Sequence, residues 1–501
     1  MSTIFYLALA ILLLYLLWEY QRYKNITFYT KQGLRYKLYP LILEIFTKTQ
    51  QDPFEAAQKL TSLSNGADLA LTNVDGEVQI CPLTPKALKE FFNKEEEHTT
   101  RRDPDDPAET SLNFDGKPSR IAREIFKKLY GTNSLGLFRP VIAAVIRRQI
   151  RFFKQWIDSV GQYGVVEEVD LRSRFTSRLF DDMTNNLVFG DSFKQLCIPE
   201  LDNKSFYRAM MKSQELSWDS ENRFDDYTWG LWTEFGLNKQ YNDYVDIRER
   251  LEVFVYKVYD QRMKEVSIKT YTPQRNNILD LLILENQERK KQKKESYSRK
   301  DIYMHIVEFS TEGIDSIQSL LEGLIFHLLL EKNHQFLERL KRIIKEKLTK
   351  NYSTKTLIEE PFLEAVLLES IRVFPGQNRS FSKRVVKPFE LCGVKIRKGD
   401  DVAIMYASMN YCENTFDNPY QFNPNRFIES KPPRLAFLPF SHGPRSCVGR
   451  SFGEFAVKLI LVEMLKEFDL SVDPEFELEA EHSYFISWLT DYTVNVKKLK
   501  R

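Results

Sequence analysis

The chain opens on an uninterrupted apolar run before any mixed pattern begins. Ile4 to Trp18 is entirely apolar or aromatic, and the first charge is Glu19. As a helix, these 15 residues would cover ~22 Å, and their flanks could extend the helix toward the ~30 Å of a bilayer core. A cleaved signal peptide would want a basic residue before the run, and a core helix would show a polar face. Neither is present, so we predict a retained membrane anchor over residues 1–24.

Basic residues follow this run on its C-terminal side, namely Arg22, Lys24, Lys31, Arg35 and Lys37. Positive charge gathers on the cytosolic side of a membrane span. The pattern therefore predicts a single-pass protein whose body faces the cytosol, with residues 25–65 forming a linker and a first helix.

The rest of the chain, residues 66–501, is predicted to form one catalytic domain that is mainly α, an α+β fold. Ala67 to Cys81 alternates around Asp75-Gly76, which is typical of a β-hairpin. Helical spacing of apolar residues dominates afterwards. It is clearest over Asp301 to Leu330, His334 to Leu348 and Ser451 to Phe468. Strand patterns return between Arg384 and Ala407.

Composition narrows the class of protein. Lys and Arg number 72 against 70 Asp and Glu, which argues against a nucleic-acid-binding protein. The five cysteines are scattered and form no C-x-x-C pair, so neither a disulfide framework nor a zinc site is indicated. The composition fits a reduced, cytosol-facing protein.

One cysteine lies in an unusual loop. Gly443, Pro444 and Gly449 bracket Cys447, and a predicted helix follows directly. A helix N-terminus stabilises a thiolate, and glycines let the backbone approach a flat ligand closely. Arg445 is placed to bind an anionic group of such a ligand. A lone cysteine in a turn is usually inert, so the prediction depends on the whole string.

That string, from Phe440 to Gly449, matches F-x-x-G-x-R-x-C-x-G at every fixed position, and on it the chain resembles the cytochrome P450 family. The resemblance implies that Cys447 is the thiolate ligand of haem b, within a loop marked by Gly443 and Gly449. It further implies that Arg445 binds a haem propionate and that Phe440 shields the sulfur.

Two further motifs agree with the family. Glu369 and Arg372 form an E-x-x-R pair on one helix face. The resemblance adds Arg426 as the third member of a structural network. It also makes Arg379 a candidate propionate ligand. Arg123 is the best candidate for a second one, although the tryptophan expected before it is absent and Arg120 is close behind.

The family's oxygen-activation helix is similar to Glu312-Gly313-Ile314-Asp315-Ser316. The resemblance makes Asp315 and Ser316 the acid–alcohol pair that relays protons on the distal side of the haem. Ser316 replaces the usual threonine. Glu312 stands where alanine is usual and resembles the fatty-acid ω-hydroxylase branch, where this glutamate can be ester-linked to the haem. We carry that ester bond as a hypothesis for Glu312.

These features together predict a membrane-bound monooxygenase of the microsomal type, resident in the endoplasmic reticulum. It would use O2 and a hydrophobic substrate, with electrons from an NADPH-cytochrome P450 reductase and with cytochrome b5 as a further candidate partner. Lys431, Arg434 and Lys458 are candidate docking contacts, and Phe485 to Trp488 a candidate pocket wall. Two alternatives stay open: a haem-thiolate isomerase or dehydratase acting on lipid peroxides, and a haem-binding sensor or scaffold without turnover.

Overall fold

The protein is described by a computed structural model. It describes residues 23–34, 67–74, 77–100, 117–131, 134–190, 197, 198, 204–218, 238–349, 351–377, 379, 380, 382–482 and 487–499, with isolated residues between Leu13 and Gln21. Most of the predicted anchor, Ile4 to Trp18, lies outside these residues, as do the hairpin turn Asp75-Gly76 and part of the candidate wall at Phe485.

Among the described residues, no single helix has the length and apolarity needed to cross a bilayer. One pair of consecutive helices, Arg299–Leu329 and Glu331–Lys347, meets those two criteria jointly but is bent by 87°.

From residue 85 onward, the described residues form fifteen α-helices, numbered in chain order. They are Pro85–His98 (α1), Lys117–Tyr130 (α2), Leu135–Val160 (α3), Ser177–Phe189 (α4), Phe206–Trp218 (α5), Lys239–Ser267 (α6), Ile278–Lys291 (α7), Arg299–Glu308 (α8), Ser316–Leu329 (α9), His334–Lys347 (α10), Thr354–Ile358 (α11), Pro361–Val373 (α12), Tyr406–Asn410 (α13), Arg426–Glu429 (α14) and Arg450–Leu465 (α15). Two stretches have π-helical hydrogen bonding, Arg172–Thr176 and Phe309–Asp315.

The strands are short and form small sheets. They are Leu69–Val74 (β1), Glu77–Pro82 (β2), Thr99–Thr100 (β3), Val165–Asp170 (β4), Cys197–Ile198 (β5), Lys204–Ser205 (β6), Lys383–Val385 (β7), Phe389–Leu391 (β8), Val394–Ile396 (β9), Asp401–Val402 (β10), Phe468–Ser471 (β11), Ala480–His482 (β12), Ser487–Leu489 (β13) and Thr493–Lys498 (β14). The largest sheet has the order β1-β2-β10-β7-β3, and a second has the order β11-β14-β4.

The chain divides into two compact units. The first comprises Met1–Asp103, Gln377–Tyr420 and Pro432–Ser446, and the second comprises Pro104–Gly376, Gln421–Lys431 and Cys447–Arg501. The first unit contains the five-stranded sheet, whose apolar face packs with α1 in one buried cluster that includes Ile80, Phe91 and Val402. The second unit contains most of the helices.

In the first unit, hydrogen bonds join the helical segment 23–30 and its following turn to β9 and to the loop after β9. The Tyr29 hydroxyl donates to Asp400, and both side chains are buried. Arg397 donates to Asn25 over 3.1 Å. The side-chain amide of Gln32 pairs with the backbone at the edge of β9. The Lys395 N–H donates to Gln32 Oε1 (2.8 Å), and Gln32 Nε2 donates to Lys395 O (3.4 Å). Positions 25, 29 and 32 share a helix face.

The sequence predictions of local structure are largely confirmed. β1 and β2 pair antiparallel as the predicted hairpin, and α8, the second π segment and α9 together fill the predicted helix from Asp301 to Leu330. The last long helix ends earlier than predicted. Phe468 starts β11 because its backbone pairs with Lys498 of β14.

Candidate active site

The loop before Cys447 is shaped by a single glycine. Gly443 has φ +76°, a conformation that a residue with a Cβ rarely adopts. It begins a 3-10 turn that runs to Arg445, closed by the Ser446 N–H donating to Gly443 O over 3.1 Å. Phe440 and Arg445 belong, like this turn, to the first unit. The loop is therefore built for a tight turn immediately before the cysteine.

Cys447 begins the last segment of the second unit, three residues before α15 starts at Arg450. Its thiol is free and solvent-exposed. Even so, desolvation by surrounding protein raises the pKa of this thiol, and the nearby Glu312 carboxylate acts in the same direction. Backbone N–H groups of Gly449 and Arg450 and the Arg123 guanidinium oppose that shift in pKa. The N–H groups at the start of α15 thus favour the thiolate that the sequence predicted, whereas burial disfavours it. A metal cation bound to the sulfur would favour the thiolate further.

The structure brings Glu369, Arg372 and Arg426 together in the second unit. Glu369 and Arg372 are completely buried, and two hydrogen bonds of 2.8 Å join the guanidinium to the two carboxylate oxygens. Arg426 Nε donates to Glu369 Oε1 over 3.1 Å. The carboxylate also accepts the backbone N–H of Asn423 at 2.7 Å. This carboxylate is fully satisfied, as a buried charge needs to be.

Helical hydrogen bonding changes at the predicted oxygen-activation motif, where the π segment Phe309–Asp315 separates α8 from α9. Two hydroxyls just before the motif bond backwards to carbonyls of α8: Ser310 to Ile306 O (2.8 Å) and Thr311 to Val307 O (2.9 Å). Side chains that bond the preceding turn in this way commonly distort a helix, and such π bulges frequently mark functional sites.

Asp315 lies at the end of this segment and is 4% exposed. Its Oδ1 is buried without a hydrogen-bond partner. Burial raises the pKa of Asp315 to about 7; Arg172 opposes the shift, while Glu322 and Glu312 add to it. Ser316 Oγ donates to Glu312 O over 2.9 Å. A carboxyl with a pKa near neutrality can both give and take a proton under working conditions.

Glu312 and Arg123 belong to the same neighbourhood as Cys447. Both affect the pKa of its thiol through their charges, and Glu312 also acts on Asp315. The side chain of Arg120 lies outside the described residues. Glu312 therefore lies within electrostatic reach of both Cys447 and Asp315, and Arg123 lies within reach of Cys447.

Arg379 occupies a buried position in the first unit. Its guanidinium donates to Gln79 Oε1 at 2.7 Å and to Ser382 Oγ at 2.9 Å. The backbone of Arg379 forms an isolated bridge with Met405. These contacts fix the arginine against the large sheet.

One predicted partner contact is wrong. Lys458 lies within α15 and is 1% exposed. Its ammonium donates to Glu364 and to Ile358 O, so it offers no surface to another protein. Lys431 and Arg434 are exposed. The lysine is buried because the middle of α15, from Phe455 to Val462, is buried on all sides.

The sequence analysis missed a buried acid. Glu322 lies in α9, two turns after Asp315, and contacts Thr176 and Gln318. The signal was present as Gln318, Ser319 and Glu322 interrupting an otherwise apolar helix. Its partners Arg172 and Tyr207 are distant in sequence, and only the fold brings them near.

Within the described ranges, no group of three or more His, Cys, Asp or Glu side chains could hold a metal ion by itself. Cys447 is a single free donor, and a haem, which brings four ring nitrogens, suits such a donor.

Comparison with known proteins identifies the family. The cytochrome P450 family model matches residues 74–487. The chain therefore belongs to the cytochrome P450 family, whose cofactor is a haem iron. A crystal structure of the cytochrome P450DA haem domain superposes with a TM-score of 0.68 at 16% identity, covering 89% of this chain and 92% of that one. This likeness shows the P450 fold.

Relatives of known sequence are distant. Probable cytochrome P450 508A1 of Dictyostelium discoideum is 26% identical over 272 residues, which are 52% of this chain and 54% of the relative. The chain thus matches only about half the length of that relative. Probable cytochrome P450 6a18 of Drosophila melanogaster is 23% identical over 406 residues, covering 77% of this chain and 75% of the relative.

Proposed function

We propose that the protein is a haem-thiolate monooxygenase of hydrophobic substrates. The observation that carries this proposal is the buried, near-neutral carboxyl of Asp315, which ends a π segment whose Glu312 acts electrostatically on both Asp315 and the Cys447 thiol. The reaction converts a substrate C–H bond, O2, two electrons and two protons into C–OH and water. Bound haem supplies the oxygen activation.

The residues fit a haem. Cys447 supplies one thiolate, its negative charge supported by the N–H groups of Gly449 and Arg450 and by Arg123. We propose that Arg123, Arg379 and Arg445 bind the propionates, with Phe440 shielding the sulfur. Gly443 and Gly449 allow the close approach of the backbone. Glu369, Arg372 and Arg426 hold the surrounding structure and take no part in the chemistry.

On the distal side, the chain's own residues move protons. Asp315 holds or releases a proton at its unpartnered Oδ1, and we propose that Ser316 passes it on by rotating away from Glu312 O. The isomerase alternative needs no such pair, because it consumes neither O2 nor external electrons.

The decisive experiment measures the reduced carbon-monoxide difference spectrum and then NADPH-dependent product formation with a P450 reductase. We expect a thiolate-type band in the wild type and its loss in Cys447→His, with haem still bound. Asp315→Asn should keep the band and lose most hydroxylation. Product formed from a lipid hydroperoxide without NADPH, with none from O2, would instead identify the isomerase.

We further propose long-chain fatty acids as the substrate class and an ester between Glu312 and haem. Glu312 is exposed within the π segment, and its charge acts on both Asp315 and Cys447. Denaturation in acid solvent followed by chromatography tests the bond. Haem should stay with the wild-type chain and separate from Glu312→Gln; free release from both would overturn the ester.

For the whole chain we propose an anchor at residues 1–24, a linker and first helix at 25–65 and a catalytic domain at 66–501, facing the cytosol from the endoplasmic reticulum. Exposed Lys431 and Arg434 are our candidate contacts for the NADPH-dependent reductase or cytochrome b5. Charge reversal at both should slow electron transfer at low salt and leave the carbon-monoxide spectrum unchanged.

A further inference from the structure

A polar network lies within the second unit beside Asp315. Glu322 is 1% exposed. Its Oε1 accepts hydrogen bonds from the Thr176 hydroxyl and from Gln318 Nε2, the latter at 2.9 Å. Its Oε2 is buried without a hydrogen-bond partner. Glu322 follows Asp315 by seven residues, so the two carboxyls share one face of α9. A helical side chain leans toward the N-terminus of its helix, which directs Glu322 back toward Asp315.

Tyr207 of α5 connects the two acids. Its hydroxyl donates to Gln318 Oε1 over 2.6 Å. Both Asp315 and Glu322 act electrostatically on Tyr207 and, together with burial, raise the pKa of its hydroxyl. The hydroxyl therefore stays protonated, and its single proton is donated to Gln318, whose Nε2 in turn donates to Glu322.

The network has one end near solvent. The Arg172 side chain is 28% exposed, and its Nε lies 3.9 Å from Glu322 Oε2. The guanidinium stacks on Trp488 and Tyr492 and donates to the Tyr492 hydroxyl at 2.5 Å. Arg172 thus separates Glu322 from the surface while offering it a positive charge.

Two unpartnered carboxyl oxygens on one buried helix face are costly. A buried polar atom left without a hydrogen-bond partner lowers the stability of the fold, because its lost hydration is not replaced. A protein designed only for stability would place apolar side chains here. Bound water is the usual partner of such atoms, and it requires two to four polar groups around it. Asp315 Oδ1, Glu322 Oε2 and the Tyr207 hydroxyl are polar groups of this kind.

We infer that Glu322 is a positioning residue that resupplies Asp315 with protons through bound water. In one cycle a proton leaves the Glu322 carboxyl and Asp315 takes it up, so that only O–H bonds break and form. Arg172 then stabilises the Glu322 carboxylate until solvent returns the proton. This inference rests on the proposed function, which gives Asp315 a proton to deliver.

Several charged groups among the described residues act on the Asp315 and Glu322 carboxyls. Arg172 lowers the pKa of both carboxyls, Glu312 raises that of Asp315 and Asp170 raises that of Glu322. Glu322 itself raises the pKa of Asp315. Removing its charge must therefore move the titration of Asp315 to lower pH.

The test compares two variants, Glu322→Gln and Tyr207→Phe, with a control. The control is Asp182→Asn, which alters a partly buried acid that pairs with Arg148 and not with Arg172. Infrared difference spectroscopy of the haem-loaded protein follows the protonated carboxyl band that Asp315→Asn removes. We expect its midpoint near neutral pH in the wild type and control, and about one pH unit lower in Glu322→Gln.

Turnover gives the second measurement. Glu322→Gln should lower kcat about tenfold above pH 7 and raise the release of peroxide. It should leave KM and the carbon-monoxide band unchanged. Glu322→Asp should recover part of the lost kcat. An unaltered pH profile, coupling and infrared midpoint in both network variants would overturn the inference. If Glu322→Gln does not fold, Tyr207→Phe decides alone. If the wild type forms no NADPH-dependent product, the proposed monooxygenase function is refuted. The infrared midpoints would still show whether Glu322 affects the titration of Asp315.

Discussion

Two buried sets of charges in the second unit are built in opposite ways. Glu369 accepts hydrogen bonds at both oxygens from two arginines and a backbone N–H. Asp315 and Glu322 are as deeply buried, yet each keeps an oxygen without a hydrogen bond. The pKa of both unpartnered acids is raised by burial.

The difference separates support from chemistry. A carboxylate that accepts hydrogen bonds at both oxygens from arginines and a backbone N–H is fixed in position, and so it is suited to hold a loop in place. A carboxyl with an unpartnered oxygen and a pKa raised by burial destabilises the fold, and proteins retain such groups mainly where a reaction uses them. Four predictions test whether this division is real.

The largest effect is expected at Glu369. Glu369→Gln leaves the Arg372 guanidinium buried without its counter-charge, which should lower the free energy of unfolding by about 3–5 kcal/mol. Urea denaturation followed by circular dichroism measures it. Glu429→Gln, at an exposed position in α14, should stay within about 0.5 kcal/mol. Equal losses in the two variants would contradict the supporting role.

Asp315→Asn should remove a loss of stability that the wild type shows as pH rises. In the folded protein the pKa of Asp315 is about 7, against 3.8 when unperturbed. As pH rises from 4 to 7, the unfolded chain releases this proton and the folded chain keeps it, so stability falls; above 7 the effect is constant. The wild type should lose up to about 4 kcal/mol across this window. Asp315→Asn should lack that part of the slope in urea titrations at stepped pH, and an unchanged slope would refute the raised pKa.

Lys458 offers an intermediate case, since its partner Glu364 is partly exposed while the lysine is buried. Glu364→Gln should cost about 2 kcal/mol because the ammonium loses its counter-charge. Lys458→Met should cost less, since water can reach the remaining carboxylate. Thermal unfolding of both variants measures the difference, and the reverse order would show that burial of the lysine does not govern the pair.

The smallest change is expected for Arg426→Lys. Arg426 is the outermost member of its network, with 12% side-chain exposure, and it bonds Glu369 Oε1 and Gln421 O. Lysine keeps the charge and loses the fork geometry, which should cost about 1 kcal/mol. A loss as large as that of Glu369→Gln would mean that Arg426, and not Arg372, carries the network.

The sequence predicted those parts of the site that depend on local spacing. The E-x-x-R pair follows from two positions three residues apart on one helix face. The Glu322 network could not be predicted, because Arg172 and Tyr207 reach it only through tertiary packing. Lys458 was misjudged for a related reason: its charge alone suggested a surface position, whereas the nearly uninterrupted apolar run from Phe455 to Val462 is typical of a helix buried on all sides.

The hydrogen bonds that join residues 23–32 to β9 and the following loop limit how far the chain can be truncated at its N-terminal side. A form that begins after Gln32 would leave the Asp400 carboxylate without its tyrosine and the edge of β9 without its glutamine. Such a form should be prone to association through that bare strand edge. A shortened protein intended for crystallisation should therefore retain the chain from Tyr23 onward, even when the apolar residues before it are removed.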